Sequence, residues 1–253
     1  MLIEKLIPKS WDERKDLIVP GNSAMTLTFC VEHFVATAKK AIQHHDAFFV
    51  ALSGGSTPKA LFEKLSASPY KELIQWEKIH LFWSDERAVP PTSEESNYHM
   101  ALSSGLGQMP IPKAQIHRMH AEDNIENNAQ LYEQTLVATL QGRPFDLIML
   151  GMGEDGHTAS LFPGTAALQE QVRLVVANFI PQKNAWRMTF TTPCINQANL
   201  VVIYVLGSPK RTILKEVLSS PTLLYPIQYV GTPTHKALWI ADEAAAENLS
   251  LRK

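Results

Sequence analysis

Short apolar segments and longer stretches with periodic apolar positions alternate along this chain. The apolar segments run for a few residues each, which is typical of strands, and the run 199–206 is almost continuously apolar, as expected for a strand buried on both faces. The longer stretches place apolar residues at spacings of three and four. That periodicity predicts helices with one buried face.

The pattern predicts strands at 47–52, 79–83, 116–119, 145–150, 172–177, 186–191, 199–206 and 237–240. It predicts helices at 23–44, 59–65, 94–102, 125–140 and 241–251, with one more helix that ends near residue 219. The mixed segment 1–20 is expected to add an edge strand. Strands that alternate with helices predict an α/β fold, in which a doubly wound, mostly parallel sheet carries helices on both faces as a Rossmann-like three-layer sandwich.

Length and composition narrow the class of protein. The chain has 253 residues with 45% hydrophobic content, and no linker interrupts the pattern, so we expect a single domain over residues 1–253. The formal net charge is -2 and the basic residues are spread along the chain, which disfavours nucleic acid as a partner and favours a small-molecule substrate. Cys30 and Cys194 lie in apolar or strand-flanking surroundings, so we expect them to pack rather than form a disulfide.

The amino-terminal segment has no signature of a targeting peptide. Glu4, Asp12, Glu13 and Asp16 interrupt its apolar residues, and nowhere are there about 18 consecutive apolar residues. We therefore expect a cytoplasmic protein with no membrane partner. Nothing in the pattern separates a monomer from a small homo-oligomer.

Residues 151–164, here named the elbow, follow the apolar run 145–150. Three of the first six elbow residues are glycines, which allow a sharp bend at the end of a strand. The bend presents His157 beside Asp155. Ligands of open α/β sheets bind in the crevice outside the carboxyl ends of strands, so an imidazole and a carboxylate at that place predict acid-base chemistry.

Two other interpretations of the elbow were weighed. Its G-x-G-x-x-G spacing satisfies a dinucleotide fingerprint, but that fingerprint requires a full helix after the glycines and an acidic residue at the end of the next strand. Here Pro163 and Gly164 stop any helix early, and the next predicted strand ends in Asn178, so a dinucleotide is disfavoured. In the second interpretation His157 only caps a turn. The elbow alone leaves that alternative open.

A second glycine-containing loop joins the predicted strand 47–52 to a predicted helix. Thr57 is expected to be the N-cap of that helix and Pro58 its first residue, which would leave backbone N–H groups free to bind an anion. The loop lacks the Gly-Lys-Ser/Thr of a Walker motif, so a phosphate monoester fits better than a nucleoside triphosphate. A simple tight turn is the alternative. The residues of this loop are Ser53, Gly54, Gly55, Ser56 and Thr57.

Charged residues follow two further predicted strands. Asp85, Glu86 and Arg87 come after strand 79–83, where they could orient an imidazole or bind a phosphate; a solvated loop with a surface salt bridge is the alternative. Lys210 follows strand 199–206 in the first turn of a helix, which would add positive charge to an anion site.

Five separate segments of the chain resemble one family, the 6-phosphogluconolactonases, which share a fold with the glucosamine-6-phosphate deaminases. The segments occur in order, and the resemblance extends roughly over residues 20–245. They are Leu52-Ser53-Gly54-Gly55-Ser56-Thr57-Pro58, Trp83-Ser84-Asp85-Glu86-Arg87, the elbow, Arg187-Met188-Thr189-Phe190-Thr191 and Gly207-Ser208-Pro209-Lys210.

The resemblance implies hydrolysis of 6-phospho-D-glucono-1,5-lactone, without a metal or another cofactor. It implies that the phosphate binds among the loop 53–57, Arg187 and Lys210, with help from Arg87. As a hypothesis, neutral His157 activates the attacking water, and Asp155 or Asp85 orients its ring. The residues leave the choice between the two carboxylates open.

Two rival functions were considered. In the deaminases, as the resemblance implies, a catalytic glutamate lies five positions after the elbow histidine; here that position is Phe162, which can move no proton. The fold also serves as a sugar-phosphate sensor in transcriptional regulators. The residues before the first confident strand show no basic recognition helix, so a sensor is disfavoured.

Overall fold

The apolar runs lie side by side in a sheet whose interior strands are buried on both faces. The computed structural model describes residues 2–220 and 222–250. In that part of the chain the strands are β1 (Lys9–Ser10), β2 (Lys15–Ile18), β3 (Phe48–Leu52), β4 (Ile79–Trp83), β5 (Asp85–Arg87), β6 (Leu147–Gly151), β7 (Val175–Ile180), β8 (Ala185–Phe190), β9 (Val201–Val205) and β10 (Ala237–Ala241).

Helices follow most of these strands. The α-helices are α1 (Ser23–His45), α2 (Ser56–Leu65), α3 (Asn97–Ser103), α4 (Ile125–Leu140), α5 (Thr192–Asn196), α6 (Arg211–Ser219) and α7 (Glu243–Ala246). Single 3-10 turns lie at Leu2–Glu4, Lys71–Leu73, Trp76–Lys78, Leu106–Gln108, Lys113–Gln115, Ala166–Gln169, Pro181–Lys183, Ser208–Lys210 and Pro226–Tyr229.

The main sheet has the strand order β1-β2-β10-β9-β6-β3-β4. Every neighbouring pair is parallel except β1 with β2, which confirms the predicted mostly parallel α/β sheet and its edge strand. Every residue of β3, β9 and β10 is buried, because helices cover both faces of the sheet.

The direction of winding reverses between β3 and β6. After β3 the chain continues outward to β4, whereas after β6 it continues on the other side to β9 and then β10. Such a reversal separates the connections that leave two neighbouring strands and opens a crevice at their carboxyl ends. The segments that follow β3 and β6 are the loop 53–57 and the elbow, so the winding of the sheet brings the two predicted motifs to one crevice.

A smaller antiparallel sheet has the order β5-β8-β7. The hydrophobic pattern predicted strands over much of β7 and β8, but neither β5 nor a separate antiparallel sheet. No strand was predicted for Asp85–Arg87, which pairs with β8. Three charged residues have little strand propensity of their own, so tertiary pairing decides their conformation. Side chains alternate along strands. The register therefore places five polar side chains on one face: Asp85, Arg87, Asn178, Arg187 and Thr189.

Several predicted boundaries were also wrong. The predicted strand 116–119 is only an isolated bridge between Ile116 and Leu81. The helix predicted at 94–102 begins at Asn97, after the Ser96 cap. The helix predicted at 241–251 is the short α7 over the described residues, and residue 251 lies outside them.

The core confirms the expected place of both cysteines. Cys30 and Cys194 are buried and unbonded to each other, and burial raises the pKa of each thiol far above its ordinary value. The thiols therefore stay protonated and inert, as packing residues do. Within residues 2–220 and 222–250, no helix has the length and apolar character needed to span a bilayer.

Two histidines meet beneath the bridge at Ile116. His80 Nδ1 and His117 Nε2 are 3.3 Å apart, and the His117 ring also stacks on Phe82. Burial and the neighbouring His80 lower the pKa of His117 to about 4, and burial lowers the pKa of His80. Both rings are therefore neutral in the folded protein at pH 7.

This pair predicts a loss of stability in acid. The unfolded chain protonates His117 near pH 6.5, whereas the folded protein protonates it only near pH 4. Between these values the unfolded state holds more protons, so the free energy of unfolding should fall as the pH drops from about 6.5 toward 4. H117F keeps a ring on Phe82 and should reduce that loss by roughly 1–2 kcal/mol, allowing for solvent screening.

Urea denaturation of both proteins at several pH values measures the effect. H235Q, which changes an exposed histidine before β10, is the matched control and should keep the wild-type slope. An H117F protein with the wild-type slope would contradict the assignment.

Candidate functional site

The candidate site lies where three neighbouring parallel strands end. The elbow follows β6, the loop 53–57 follows β3, and the 3-10 turn Ser208–Lys210 follows β9. Because β3 and β9 flank β6 on either side, all three segments open at the same edge of the sheet. The antiparallel sheet adds its polar face through β5 and β8.

The start of the elbow closes on itself as a tight turn. The Gly153 N–H donates to the carbonyl of His157 at 2.8 Å, and the Gly156 N–H donates to the carbonyl of Gly153 at 3.1 Å. A Cβ on Gly153 would overlap the His157 imidazole and lie 2.6 Å from the Asp155 carboxylate. Gly153 is thus required for the approach of these two side chains, and its role differs from that of a dinucleotide-binding glycine.

Asp155 is the carboxylate that contacts His157. Its Oδ1 lies 2.5 Å from His157 Nδ1 and also accepts the His157 backbone N–H at 3.1 Å. Burial opposes ionisation of Asp155, but the hydrogen bond and the charge of His157 outweigh it and lower the pKa of Asp155. An ionised carboxylate only accepts hydrogen bonds, so whenever the imidazole is neutral its proton is on Nδ1. Nε2 then holds a lone pair that can accept a proton.

Asp85 occupies a separate, buried network. Its carboxylate accepts hydrogen bonds from Ser160 Oγ at 2.7 Å and from Asn97 Nδ2 at 3.1 Å, and lies 3.9 Å from Arg187 Nη1. The side chain is 6% exposed. Asp85 therefore connects the elbow, α3 and β8, and among the described residues the carboxylate bonded to His157 is that of Asp155.

Glu86 has a structural role. Its carboxylate accepts the N–H groups of Arg87, Asn97 and Tyr98 and the Ser96 hydroxyl, all at 2.8–2.9 Å. It thereby fixes the start of α3, although burial raises its pKa. The alternative of a solvated loop is wrong for this segment, because Asp85 and Glu86 are both buried.

Two arginines stand side by side on the small sheet. Arg87 and Arg187 are direct cross-strand partners in the β5–β8 register. Burial and the charge of Arg87 lower the pKa of Arg187, while Asp85 partly opposes this. The Nε of each arginine is buried without a hydrogen-bond partner in the described residues. Like charges directly opposite destabilise a strand pair, and an anion between them would relieve the repulsion.

The loop 53–57 differs in detail from its prediction. Helix α2 begins at Ser56 and its N-cap is Gly55, with φ of 103° and no side-chain cap, so the assignment of Thr57 as N-cap was wrong. An uncapped helix start leaves backbone N–H groups open toward an anion. A Cβ on Gly54 would overlap the Asn97 amide, which shows how closely this loop packs on the Asp85 network.

Lys210 lies at the end of the β9 segment in a similar setting. Gly207, with φ of 93°, precedes the 3-10 turn that ends at Lys210, and α6 follows at once. The side chain of Lys210 is half-buried. We place Lys210 beside the elbow because β9, which precedes Lys210, pairs with β6, which precedes the elbow.

Three contact residues were missed in the sequence. Ser160 and Asn97 are the partners of Asp85, and Phe162 stacks on His157 with ring centroids 3.9 Å apart and planes at 14°. Ser160 and Asn97 carried no signal beyond being polar residues near recognised motifs. Phe162 was recognised only as a residue unable to move a proton, because its distance from His157 depends on the turn between them.

Comparisons with known proteins agree over most of the chain. The sequence profile of the family described as glucosamine-6-phosphate isomerases/6-phosphogluconolactonase matches residues 21–239. A 6-phosphogluconolactonase of Chlamydia pneumoniae is 40% identical over 91% of this chain and 89% of its own. One from Nostoc sp. is 41% identical over 92% and 98%. The structure of 6-phosphogluconolactonase from Trypanosoma cruzi is similar with a TM-score of 0.84 and 28% identity, covering 96% of this chain and 99% of its own.

The arginine pair predicts that an anion stabilises the protein. Inorganic phosphate at about ten times its dissociation constant should add about 1.4 kcal/mol of stability, or roughly 3–6 °C in Tm. Differential scanning fluorimetry at constant ionic strength measures this shift. R187Q and R87Q should each lose most of it, whereas R143Q, at an exposed arginine after α4, should keep it. A shift retained in R187Q would remove the pair from the anion site.

Proposed function

The chain belongs to the family of glucosamine-6-phosphate isomerases and 6-phosphogluconolactonases, and from this premise we propose that it hydrolyses 6-phospho-D-glucono-1,5-lactone to 6-phospho-D-gluconate, in the oxidative pentose phosphate pathway. Relatives that are 40% and 41% identical are named for this reaction. The observation that carries the proposal is the His157–Asp155 pair at the crevice between β6 and β3, which holds a general base beside an anion site.

In the proposed mechanism, Nε2 of His157 takes a proton from the attacking water. The water oxygen bonds to C1 of the lactone, and the carbonyl becomes an oxyanion that elbow N–H groups stabilise. Collapse of this intermediate breaks the bond to the ring oxygen, which receives the proton back from His157. Asp155 keeps Nδ1 protonated and stabilises the imidazolium between the two transfers.

The phosphate of the substrate is proposed to bind between the arginine pair and the open helix start. Arg87 and Arg187 supply unpartnered donors, and the loop 53–57 supplies backbone N–H groups. Lys210 adds a third positive charge from the β9 side. Binding of the phosphate, away from the reacting carbon, would hold C1 of the lactone near His157.

Asp85 is proposed to support this site from below. Its bonds to Ser160 and Asn97 fix the elbow and the loop 53–57 relative to each other, and its charge partly neutralises Arg187. Orientation of the imidazole is assigned to Asp155, because only that carboxylate is within hydrogen-bonding distance in the described contacts of His157.

The isomerase branch of the family is the alternative, and Phe162 argues against it. The residue that stacks on His157 is a buried phenyl ring, with no group that can transfer a proton. Ring opening and deamination require proton transfer at several atoms, whereas lactone hydrolysis requires one base and a stabilised oxyanion. Release of ammonia from glucosamine 6-phosphate would favour the alternative.

The first functional prediction concerns His157. H157A should lower kcat by about 10²–10⁴-fold, the usual contribution of a general base. The measurement is hydrolysis of freshly generated 6-phosphogluconolactone, with the spontaneous rate subtracted, because this lactone also opens in water. H235A is the matched control at an exposed site and should keep the wild-type rate. Wild-type protein at the background rate would refute the proposed function, and an active H157A would refute only the base.

The second functional prediction concerns Lys210. Loss of one charged contact to the phosphate should raise KM about tenfold in K210A and leave kcat nearly unchanged, because the contact exists in both the ground state and the transition state. Steady-state kinetics separate the two parameters. K215A removes an exposed lysine from the same segment, in α6, and should leave KM unchanged. If the KM of K210A equals that of the wild-type protein, Lys210 is excluded from the phosphate site.

A further inference from the structure

Within residues 2–220 and 222–250, the His157 imidazole makes one hydrogen bond to another side chain. The bond joins Nδ1 to Asp155, whose own side chain is 46% exposed and belongs to the same tight turn. The covalent link to Cβ and this hydrogen bond limit rotation of the imidazole, but the χ2 well of histidine is broad, and small χ2 rotations still move Nε2. A contact against the face of the ring would restrict these rotations further.

Phe162 supplies a flat, immobile surface at the imidazole. Its ring is parallel to the imidazole within 14°, with centroids 3.9 Å apart. The phenyl side is fully enclosed, with Phe162 2% exposed, whereas 28% of the His157 side chain is exposed. The Phe162 carbonyl also accepts hydrogen bonds from the Thr165 N–H and hydroxyl. Because Phe162 is buried and these hydrogen bonds hold its backbone, its ring can restrain the partly exposed imidazole of His157.

The chain turns sharply to bring the two rings together. The Leu161 N–H donates to the Thr158 carbonyl at 2.9 Å, and Ala159 between them has φ of 46°. A left-handed backbone is unfavourable for alanine, because its Cβ approaches the following carbonyl oxygen. Ser160, in the same turn, is bonded to Asp85 and Thr189. The fold thus retains a strained residue where it places residue 162 against the imidazole.

The same phenyl ring borders the anion site. The guanidinium carbon of Arg187 lies 6.0 Å from the Phe162 centroid, at the outer distance for a cation–π contact. Arg187 and His157 therefore share Phe162 as an aromatic neighbour. The same ring lies next to the proposed base and next to a group proposed to bind phosphate.

We propose that Phe162 is a positioning residue, whose ring sets the plane of the His157 imidazole and so aims Nε2 at the attacking water. The inference rests on the proposed lactone hydrolysis. Phe162 itself exchanges no proton. It acts through His157, so its loss should affect the chemical step and leave binding of the phosphosugar largely unchanged.

Kinetics of F162L and F162Y test the inference. F162L retains apolar volume without a flat face and should lower kcat by about 10–100-fold with KM within about twofold, as expected for a misplaced catalytic group. F162Y keeps the ring and should retain kcat within a few-fold. F34L, a matched loss of a buried phenyl in α1, should cost stability without changing kcat. Should F162L fail to fold, F162M offers a similar non-aromatic replacement.

A second readout reports on the stack without substrate. In wild-type protein the imidazole C–H signals of His157, identified by their loss in H157Q, should be shifted upfield by the ring current of Phe162. In F162L they should return toward ordinary values. Unshifted wild-type signals, a kcat of F162L close to wild type, or an F162Y as impaired as F162L would each overturn the inference. Wild-type protein without lactonase activity would instead refute the proposed function, and the signals would still test the stack.

Discussion

The buried carboxylate of Asp85 is the interaction on which the arrangement of the site depends. It binds Ser160 of the elbow and Asn97 of α3, lies beside Arg187 of β8, and through Asn97 contacts the loop 53–57. A buried carboxylate without such partners would be costly, so its bonds form together or not at all. One side chain thereby fixes four segments that the sheet only brings near each other. Removing it would leave several buried polar groups unpaired.

The site concentrates unfavourable features that the surrounding core supports. Arg87 faces Arg187 across a strand pair, and Ala159 has a left-handed backbone. Each is destabilising alone and persists only because the surrounding structure determines the local conformation. Such features accumulate where a ligand rather than the fold supplies the missing interaction. The unpartnered arginine nitrogens are the clearest example.

Elements set by local periodicity could be predicted from the sequence. Contacts and strands that depend on partners far away in the sequence could not. The apolar runs located β3, β4 and β9, and the periodicity gave α4 its observed bounds. The His157–Asp155 contact was foreseeable because only Gly156 separates the two residues in a glycine-rich turn. Asp85 and Ser160 are 75 positions apart, so no local pattern could pair them. The strand β5 was not predicted for the same reason, since Asp85–Arg87 becomes a strand only by pairing with β8.

The position of residue 162 explains how one fold can serve two chemistries. The description of the family joins isomerases with lactonases, so the fold itself does not select the reaction. The turn at Ala159 places whichever side chain follows it against the elbow histidine. A carboxylate there would lie within reach of proton transfer, whereas the phenyl ring found here can transfer no proton and is proposed to restrain the imidazole. A carboxylate at position 162 would add a second acid beside the imidazole, whereas the phenyl ring leaves Asp155 as its acidic partner. Under the proposed function, the two chemistries therefore differ in how the imidazole is held as well as in which groups move protons.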